Sequence, residues 1–440
     1  MDCVEDLDDR VSVAIIGAGW AGMAAAVALA QAKIPVTVFE AARHPGGRAR
    51  SVEIEGIALD NGQHVLIGAY RETLRLMRAV GADPDKLLLR QPLAIDYPGK
   101  FSLRAPPLPA PLHLLAALLR AMGLTWRERI AALRFIAAMR GSAYRIAVDM
   151  PVSELLTSYR QTGALARYLW EPLCVSALNT PAAAASAQVF LNVLRDGLDG
   201  AREASDFLIP RTDLGNLFPL PAAAFIRANG GSVHLGTPVR MLAKTEQGFV
   251  LDDRSARYTH AIIAVGPHQL DTLLGEFAQL AALRQCVGEF SFEPIYTCYL
   301  QYPQHVSMPQ PMTGFDGGIT QWIFDRGRIN GAAGLLAAVV SARGEHQAFS
   351  QAAVASGIHR ELAGLLPGLP APLWSRVIAE KRATYSCRPR VVRPQNKTAV
   401  RNLYLAGDYT ASDYPATLES AIQSGLSCAS LVIGSETGSA

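Results

Sequence analysis

The chain has no run of about 18 uninterrupted apolar residues, so no helix is expected to span a membrane. It also lacks any CxxC pair. Its six cysteines, Cys3, Cys174, Cys286, Cys298, Cys387 and Cys428, are scattered, and no histidine stands near them at metal-ligand spacing. That pattern argues for a reducing compartment and against zinc or iron–sulfur sites, so no metal is expected. A formal net charge of +3 over 440 residues is too small to suggest a nucleic-acid partner. Met1 to Arg10 is acidic and lacks the basic start and apolar centre of a secretory signal. No internal repeat is visible.

What the chain has in excess is apolar character: 50% hydrophobic residues and a mean hydropathy of +0.16. A large core accounts for this, and so does a greasy tunnel or a membrane-facing patch. At 440 residues the chain exceeds the usual size of one core, so two or more domains are expected.

Along the chain, Val11 to Ile16 reads as a strand, Met23 to Gln31 as a helix and Pro35 to Glu40 as a second strand, one βαβ unit. Gly56 to Val65 is expected to add an extended return beside it. From Ala105 the character turns proline-rich and then helical. Thr125 with Glu128 forms a capping-box pattern that starts a helix running to about Arg140, and helices continue to about Leu198. Strands are predicted over Ser232 to Val239, Gly248 to Asp252 and Tyr258 to Val265. A mixed segment follows, with strands Tyr296 to Tyr302 and Gly334 to Ser341 and a helix His346 to Leu366. Leu403 to Ala406 is the last strand and Pro415 to Ile433 the last helix.

Gly17-Ala18-Gly19-Trp20-Ala21-Gly22 is a GxGxxG that follows a strand and opens a helix, with Glu40 ending the next strand. In such a motif the first glycine makes the tight turn, the second admits a pyrophosphate and the third lets the helix meet the sheet. The helix N-terminus then faces the phosphates. Glu40 is placed to accept hydrogen bonds from a ribose, and its charge disfavours NADP. Pro45-Gly46-Gly47-Arg48 follows closely, with two glycines that allow a close crossing and a forked donor that suits a phosphate.

Together these residues resemble the GG-doublet flavoproteins of the amine oxidase and phytoene desaturase superfamily. The resemblance covers the whole chain and implies FAD. Gly236-Thr237-Pro238-Val239 matches the strand whose valine backbone meets adenine there. Leu403-Tyr404-Leu405-Ala406-Gly407-Asp408 matches the C-terminal motif whose acid binds the ribityl–pyrophosphate region. In Pro415-Ala416-Thr417-Leu418-Glu419-Ser420-Ala421 the proline suits a first helical turn, and the N–H groups of Ala416, Thr417 and Leu418 would face the flavin and stabilise its reduced anion. The implied fold is α/β: a Rossmann-like FAD-binding domain built from 1–98, 206–269 and 381–440. A helical substrate or membrane-facing insertion at 99–205 and a substrate domain with a mixed sheet at 270–380 complete it as an inserted α+β domain.

Asp60-Asn61-Gly62-Gln63-His64-Val65-Leu66-Ile67-Gly68-Ala69-Tyr70 looks like the corresponding stretch of the squalene-associated FAD-dependent desaturases, understood as hydroxysqualene dehydroxylases. That resemblance implies replacement of an allylic hydroxyl in a C30 isoprenoid by hydrogen, giving squalene for hopanoid synthesis. Hydride would pass from reduced FAD to an allylic cation. Gln63 and His64 would lie beside the flavin. His64 is the candidate acid and Asp60 a second one, although a histidine fixing a turn and an acid forming one are the competing explanations. Tyr385 and Tyr414 are candidate aromatic walls, against ordinary packing. Noncovalent attachment is expected, because Gly407 to Ser420 contains no cysteine.

Leu112 to Met122 is apolar apart from His113 and Arg120, and the next helix carries Arg127, Arg129, Arg134 and Arg140. A pair apolar on one side and basic on the other suits an anionic membrane surface, whereas a packed hairpin with a solvated arginine face is the plainer account. The expected location is cytoplasmic, peripheral on the inner face of the cell membrane. The rivals are an oxidising isoprenoid desaturase, an amine oxidase with Tyr409 and Tyr414 facing the flavin, and a non-enzymatic carrier of prenylated partners. No second nucleotide motif is present, so the electron donor to FAD is left open.

Overall fold

The computed structural model describes residues 11–54, 57–252 and 254–437. Cys3, the acidic start and the beginning of the predicted Gly56 to Val65 return therefore lie outside the described residues. Five parallel strands form the central sheet, in the order Ser232–His234, Val36–Phe39, Val13–Ile16, His260–Ile263 and Leu403–Leu405. Val13–Ile16 and His260–Ile263 are buried at every position. Such strands read as continuous apolar runs because helices cover both faces. Parallel pairing puts all the strand C-termini on one edge, and that edge is where ligands bind in this architecture.

The helix after the first strand runs Trp20–Gln31, three residues earlier than predicted, because the glycine motif itself makes the first turn. Its alanines are buried for a packing reason. The last helix, Leu418–Thr437, crosses it so closely that a Cβ at Gly425 would lie 2.1 Å from the Ala21 carbonyl oxygen. The predicted return beside the βαβ unit is corrected: Ile57–Asp60 pairs antiparallel with Ser51–Ile54 as a hairpin. Ser232 to Val239 is also shorter than predicted. It ends at His234, where Gly236 (φ 64°) turns the chain back.

A second five-stranded sheet, antiparallel throughout, has the order Met312–Gly314, Trp322–Asp325, Leu335–Ser341, Phe292–Gln301 and Trp374–Tyr385. Two expected boundaries cut through elements. Position 380/381 falls inside Trp374–Tyr385, and 98/99 falls inside the hairpin of Ala94–Tyr97 with Phe101–Arg104. The helical block holds Leu112–Arg120, Trp126–Gly141, Val152–Ser158, Glu171–Leu178 and Ala187–Leu198, around buried Phe135, Trp170 and Phe190. The Thr125–Glu128 capping box is present with both of its bonds. The predicted helix at His346 begins later, at Gln351, because Ser350 caps it by accepting from Ala353 N–H.

Candidate active site

Gly17 to Gly22 lies at the C-terminal end of the first strand, and its three glycines are there for different reasons. Gly17 has a φ of 109°, and a Cβ there would meet the Ala264 carbonyl oxygen at 2.4 Å. At Gly22 a Cβ would meet the Gly17 oxygen at 2.0 Å. Both are required by the protein's own packing. Gly19 is not: its φ is −70°, and a Cβ would find only Gly47 Cα, at 3.9 Å. A side chain at 19 would instead fill the cradle at the helix N-terminus. That is where a pyrophosphate fits, because backbone N–H groups converge there on a positive dipole end.

Glu40 ties the cradle together. Its carboxylate accepts from Ala18 N–H at 2.7 Å and from Ala42 N–H at 2.8 Å. The Gly46 N–H donates to Ala18 O at 2.8 Å, so the GG doublet lies directly against the glycine turn. On the sheet's outer side Glu40 N–H donates to His234 O, Thr237 N–H to Glu40 O and Gly236 N–H to Ala42 O. These bonds bring the Gly236 to Val239 segment beside Glu40, as an adenine site requires. Trp20 takes no part through its ring. The indole is buried on Phe218 and donates to Ala49 O at 3.1 Å, and Ala21 packs under Gly425.

Arg48 and Asp408, 360 residues apart, form an ion pair at 2.5 Å. A second Arg48 nitrogen donates to Ala383 O at 2.6 Å. The fork assigned to a phosphate is therefore engaged with protein, and Arg48 acts as a clamp between the doublet and the C-terminal motif. Its pKa stands above the ordinary arginine value: burial opposes the charge, and the Asp408 carboxylate more than offsets that. Gly407 N–H donates to Ser424 Oγ at 2.9 Å, which fixes the motif to the last helix.

That helix starts at Leu418, three residues after the expected Pro415, because Thr417 is its cap. Thr417 Oγ1 accepts from Ser420 N–H at 3.1 Å, and Thr417 N–H donates to Ser420 Oγ at 3.0 Å. Of the three N–H groups expected to face the flavin, that of Thr417 is thus taken up within the cap. Ala416 and Leu418 remain at the helix entrance.

The two candidate acids each make a local hydrogen bond. Asp60 is buried, and its carboxylate accepts from Leu214 N–H at 2.8 Å. Burial pushes its carboxyl up to about 6, against the opposing pull of that N–H and of Arg326. His64 Nδ1 lies 2.9 Å from Gly62 O, a contact in which Nδ1 carries the hydrogen. Burial, with Arg48 nearby, lowers its pKa. Gln63 donates to Tyr299 Oη at 2.8 Å and accepts from Arg326 at 3.2 Å, and Tyr299 donates to Asp60 O at 3.0 Å. This buried network holds the Asp60 to His64 loop in place.

Sequence reading missed Tyr299, Arg326, Arg393 and Glu419. Arg393 pins the loop before the last helix by donating to Tyr414 O and Ser412 O, and it also donates to Tyr385 Oη at 2.9 Å. Buried Glu419 accepts from Glu72 N–H, Thr73 N–H and Thr73 Oγ1, and so caps the helix Arg71–Ala79. None carries a motif of its own, and the partners of Tyr299, Arg326 and Glu419 that define their roles lie more than 100 residues away. The aromatic candidates all have protein neighbours. Tyr409 is buried and donates to Val265 O at 3.0 Å, Tyr385 is buried beside Phe290, and Tyr414 faces Asp196.

The model of the family described as flavin containing amine oxidoreductase matches residues 20–433. The chain belongs to that family. It is an FAD-dependent oxidoreductase, and the cradle's donor set suits that cofactor. Hydroxysqualene dehydroxylase of Sinorhizobium fredii is 28% identical over 97% of this chain and 99% of its own length. The enzyme of the same name from Rhodopseudomonas palustris is 29% identical over 96% and 98%. A 15-cis-phytoene desaturase of an Oncidium hybrid is 27% identical over 96% of this chain and 78% of its own. A redesigned putrescine oxidase has the same fold, with a TM-score of 0.73 at 18% identity over 97% and 99% of the two chains. Among the described residues no helix is long and apolar enough to cross a membrane, and no cluster of three or more His, Cys, Asp or Glu side chains is placed to hold a metal ion.

Proposed function

We propose that the chain is a hydroxysqualene dehydroxylase: hydroxysqualene, a hydride and a proton give squalene and water. The observation that carries this reading is the end-to-end match, in which the chain and the Sinorhizobium enzyme cover 97% and 99% of each other. Oxidising desaturases also match, a zeta-carotene desaturase of Synechococcus elongatus over 94% of this chain and 96% of its own length, but at 24% identity against 28% and 29% for the two dehydroxylases, which makes the oxidising reading the second one. Burial of Tyr409 and the turning of Tyr414 toward Asp196 leave neither placed as a facing aromatic wall, and this weighs against an amine substrate.

FAD, when bound in reduced form, supplies the hydride. Backbone at Gly19 and Gly47 would admit its pyrophosphate, Glu40 would hold the ribose, and the Arg48–Asp408 pair would hold the two motifs together beside it. The N–H groups at the entrance of the last helix would stabilise the charge of the reduced ring. The loop from Asp60 to His64, fixed by Tyr299, Gln63 and Arg326, holds its shape while the carbon skeleton lies against the flavin. The cofactor is held noncovalently: Cys174, Cys298, Cys387 and Cys428 are buried, and burial raises each of these thiols. A C30 isoprenoid dissolves in bilayers, so the protein works at a membrane surface on the cytoplasmic side.

The test is anaerobic incubation of dithionite-reduced holoenzyme with hydroxysqualene, followed by product analysis. Squalene is expected. Unchanged hydroxysqualene, together with desaturation of phytoene by the oxidised enzyme, would replace this reading with the second one.

A further inference from the structure

Of the fourteen exposed large apolar side chains among the described residues, seven fall within one stretch, 108–130. Leu108, Leu112, Leu115, Leu119, Met122, Trp126 and Ile130 are all exposed, Met122 at 70% and Trp126 at 64%. The helix Leu112–Arg120 is apolar on two faces. His113, Leu114, Ala117 and Leu118 are buried, while 112, 115 and 119, at spacings of three and four, form an outer row. Trp126 and Ile130, four apart, continue that row on Trp126–Gly141. A contiguous ridge of this kind marks an interaction surface.

The charges beside the ridge are one-sided. Between 105 and 134 the sequence has four arginines and a single acid, Glu128. Glu128 is occupied, accepting from Thr125 N–H and Ala164 N–H. Arg129 lies over the Trp126 ring at 4.7 Å and donates to Ala121 O, and Arg140 pairs with Asp199 at 2.6 Å. Arg120, Arg127 and Arg134 are exposed and, among the described residues, form no ion pair. Arg127 and Arg134 are seven apart and share the row next to Trp126 and Ile130.

We propose that this ridge docks the protein on an anionic lipid bilayer: Leu112, Leu115, Leu119, Met122 and Trp126 enter the interface, and Arg120, Arg127 and Arg134 meet the headgroups. An apolar row flanked by uncompensated arginines fits a negatively charged lipid surface and repels an equally basic partner copy. Docking is separate from the reaction proposed above, because it is read without substrate.

Holoenzyme is sedimented with phosphatidylcholine vesicles with and without phosphatidylglycerol, at low and high salt. The Arg120→Gln, Arg127→Gln, Arg134→Gln variant should partition about 100-fold more weakly onto anionic vesicles, at roughly fivefold for each arginine. A control with the same charge change, Arg211→Gln, Arg240→Gln, Arg360→Gln, should bind like the wild type. Met122→Ser, Trp126→Ser should weaken binding to both vesicle types with FAD content unchanged. Tryptophan emission should shift to the blue as vesicles are added to the unmodified protein, because Trp126 is the exposed tryptophan, while Trp20, Trp170 and Trp322 are buried and Trp374 is half-buried. Equal loss in the control triple, or a wild type that ignores vesicles, would overturn the proposal. So would self-association that disappears in Trp126→Ser, which would make the ridge a contact between copies.

Discussion

In the cofactor cradle, groups far apart in sequence complete one another's hydrogen bonds: Ala18 N–H on Glu40, Gly46 N–H on Ala18 O, Arg48 on Asp408. Along 108–130 the outward leucines complete nothing and stand in solvent. The cradle is thus specified by backbone geometry and matched polar pairs, whereas the ridge is specified by what its opposite face buries. A substitution in the cradle should therefore act on cofactor and fold together, and one on the ridge should act on neither.

The sharpest break of that comparison lies inside the cradle itself. Gly22→Val should abolish soluble folded protein, since even a Cβ meets the Gly17 oxygen at 2.0 Å. Gly19→Val should fold and lose FAD, because only Gly47 Cα stands in the way. Thermal unfolding and the flavin-to-protein absorbance ratio separate the two; equal behaviour would mean the motif's glycines are not divided this way. Next in size is a contrast within one helix. Leu118→Ala, at a buried position, should lose about 3 kcal/mol, while outward Leu119→Ala should stay within about 0.5 kcal/mol in denaturant unfolding.

Asp408→Asn should cost about 1–2 kcal/mol and lower FAD affinity. It strands Arg48, whose partial exposure reduces the penalty below that of a fully buried pair. Titration of apoprotein with FAD beside a melting curve checks both. The smallest effect concerns Asp60. Its folded pKa is raised to about 6, above the unfolded value, so the native state holds the proton more tightly. That stabilisation is full below about pH 4 and is lost as pH rises through 6. Asn at 60 keeps an acceptor for Leu214 N–H and does not titrate. Wild type should thus lose about 1–2 kcal/mol relative to Asp60→Asn between about pH 4 and 7. Parallel stability curves would remove Asp60 as a titrating buried group.

Much of the cradle was legible because its signals are local. A glycine spacing, an acid at a strand end and a proline–glycine pair each describe a few adjacent residues whose backbone shape is dictated by those residues. The helix start at Leu418 was misplaced because Thr417 competes with Pro415 for the cap, and the Ser420 hydroxyl that decides the matter lies within the next turn. The pairing of Arg48 with Asp408 was not legible, because nothing nearby in sequence reveals Asp408. The Nδ1 contact of His64 with Gly62 O was foreseeable as a turn-fixing bond, because its partner lies two residues away. Sequence spacing separated Arg127 and Arg134 from Arg129 and Arg140, but only the fold shows Arg129 laid on Trp126 and Arg140 held by Asp199.

Hydride transfer from the enzyme's flavin to an allylic carbon is the step on which the proposed function rests. Anaerobic mixing of stoichiometrically reduced holoenzyme with excess hydroxysqualene, followed by flavin absorbance and extraction of the lipid, measures that transfer in one turnover. The oxidised flavin spectrum should return, with one squalene formed per flavin. A flavin that stays reduced, with hydroxysqualene recovered intact, would contradict it.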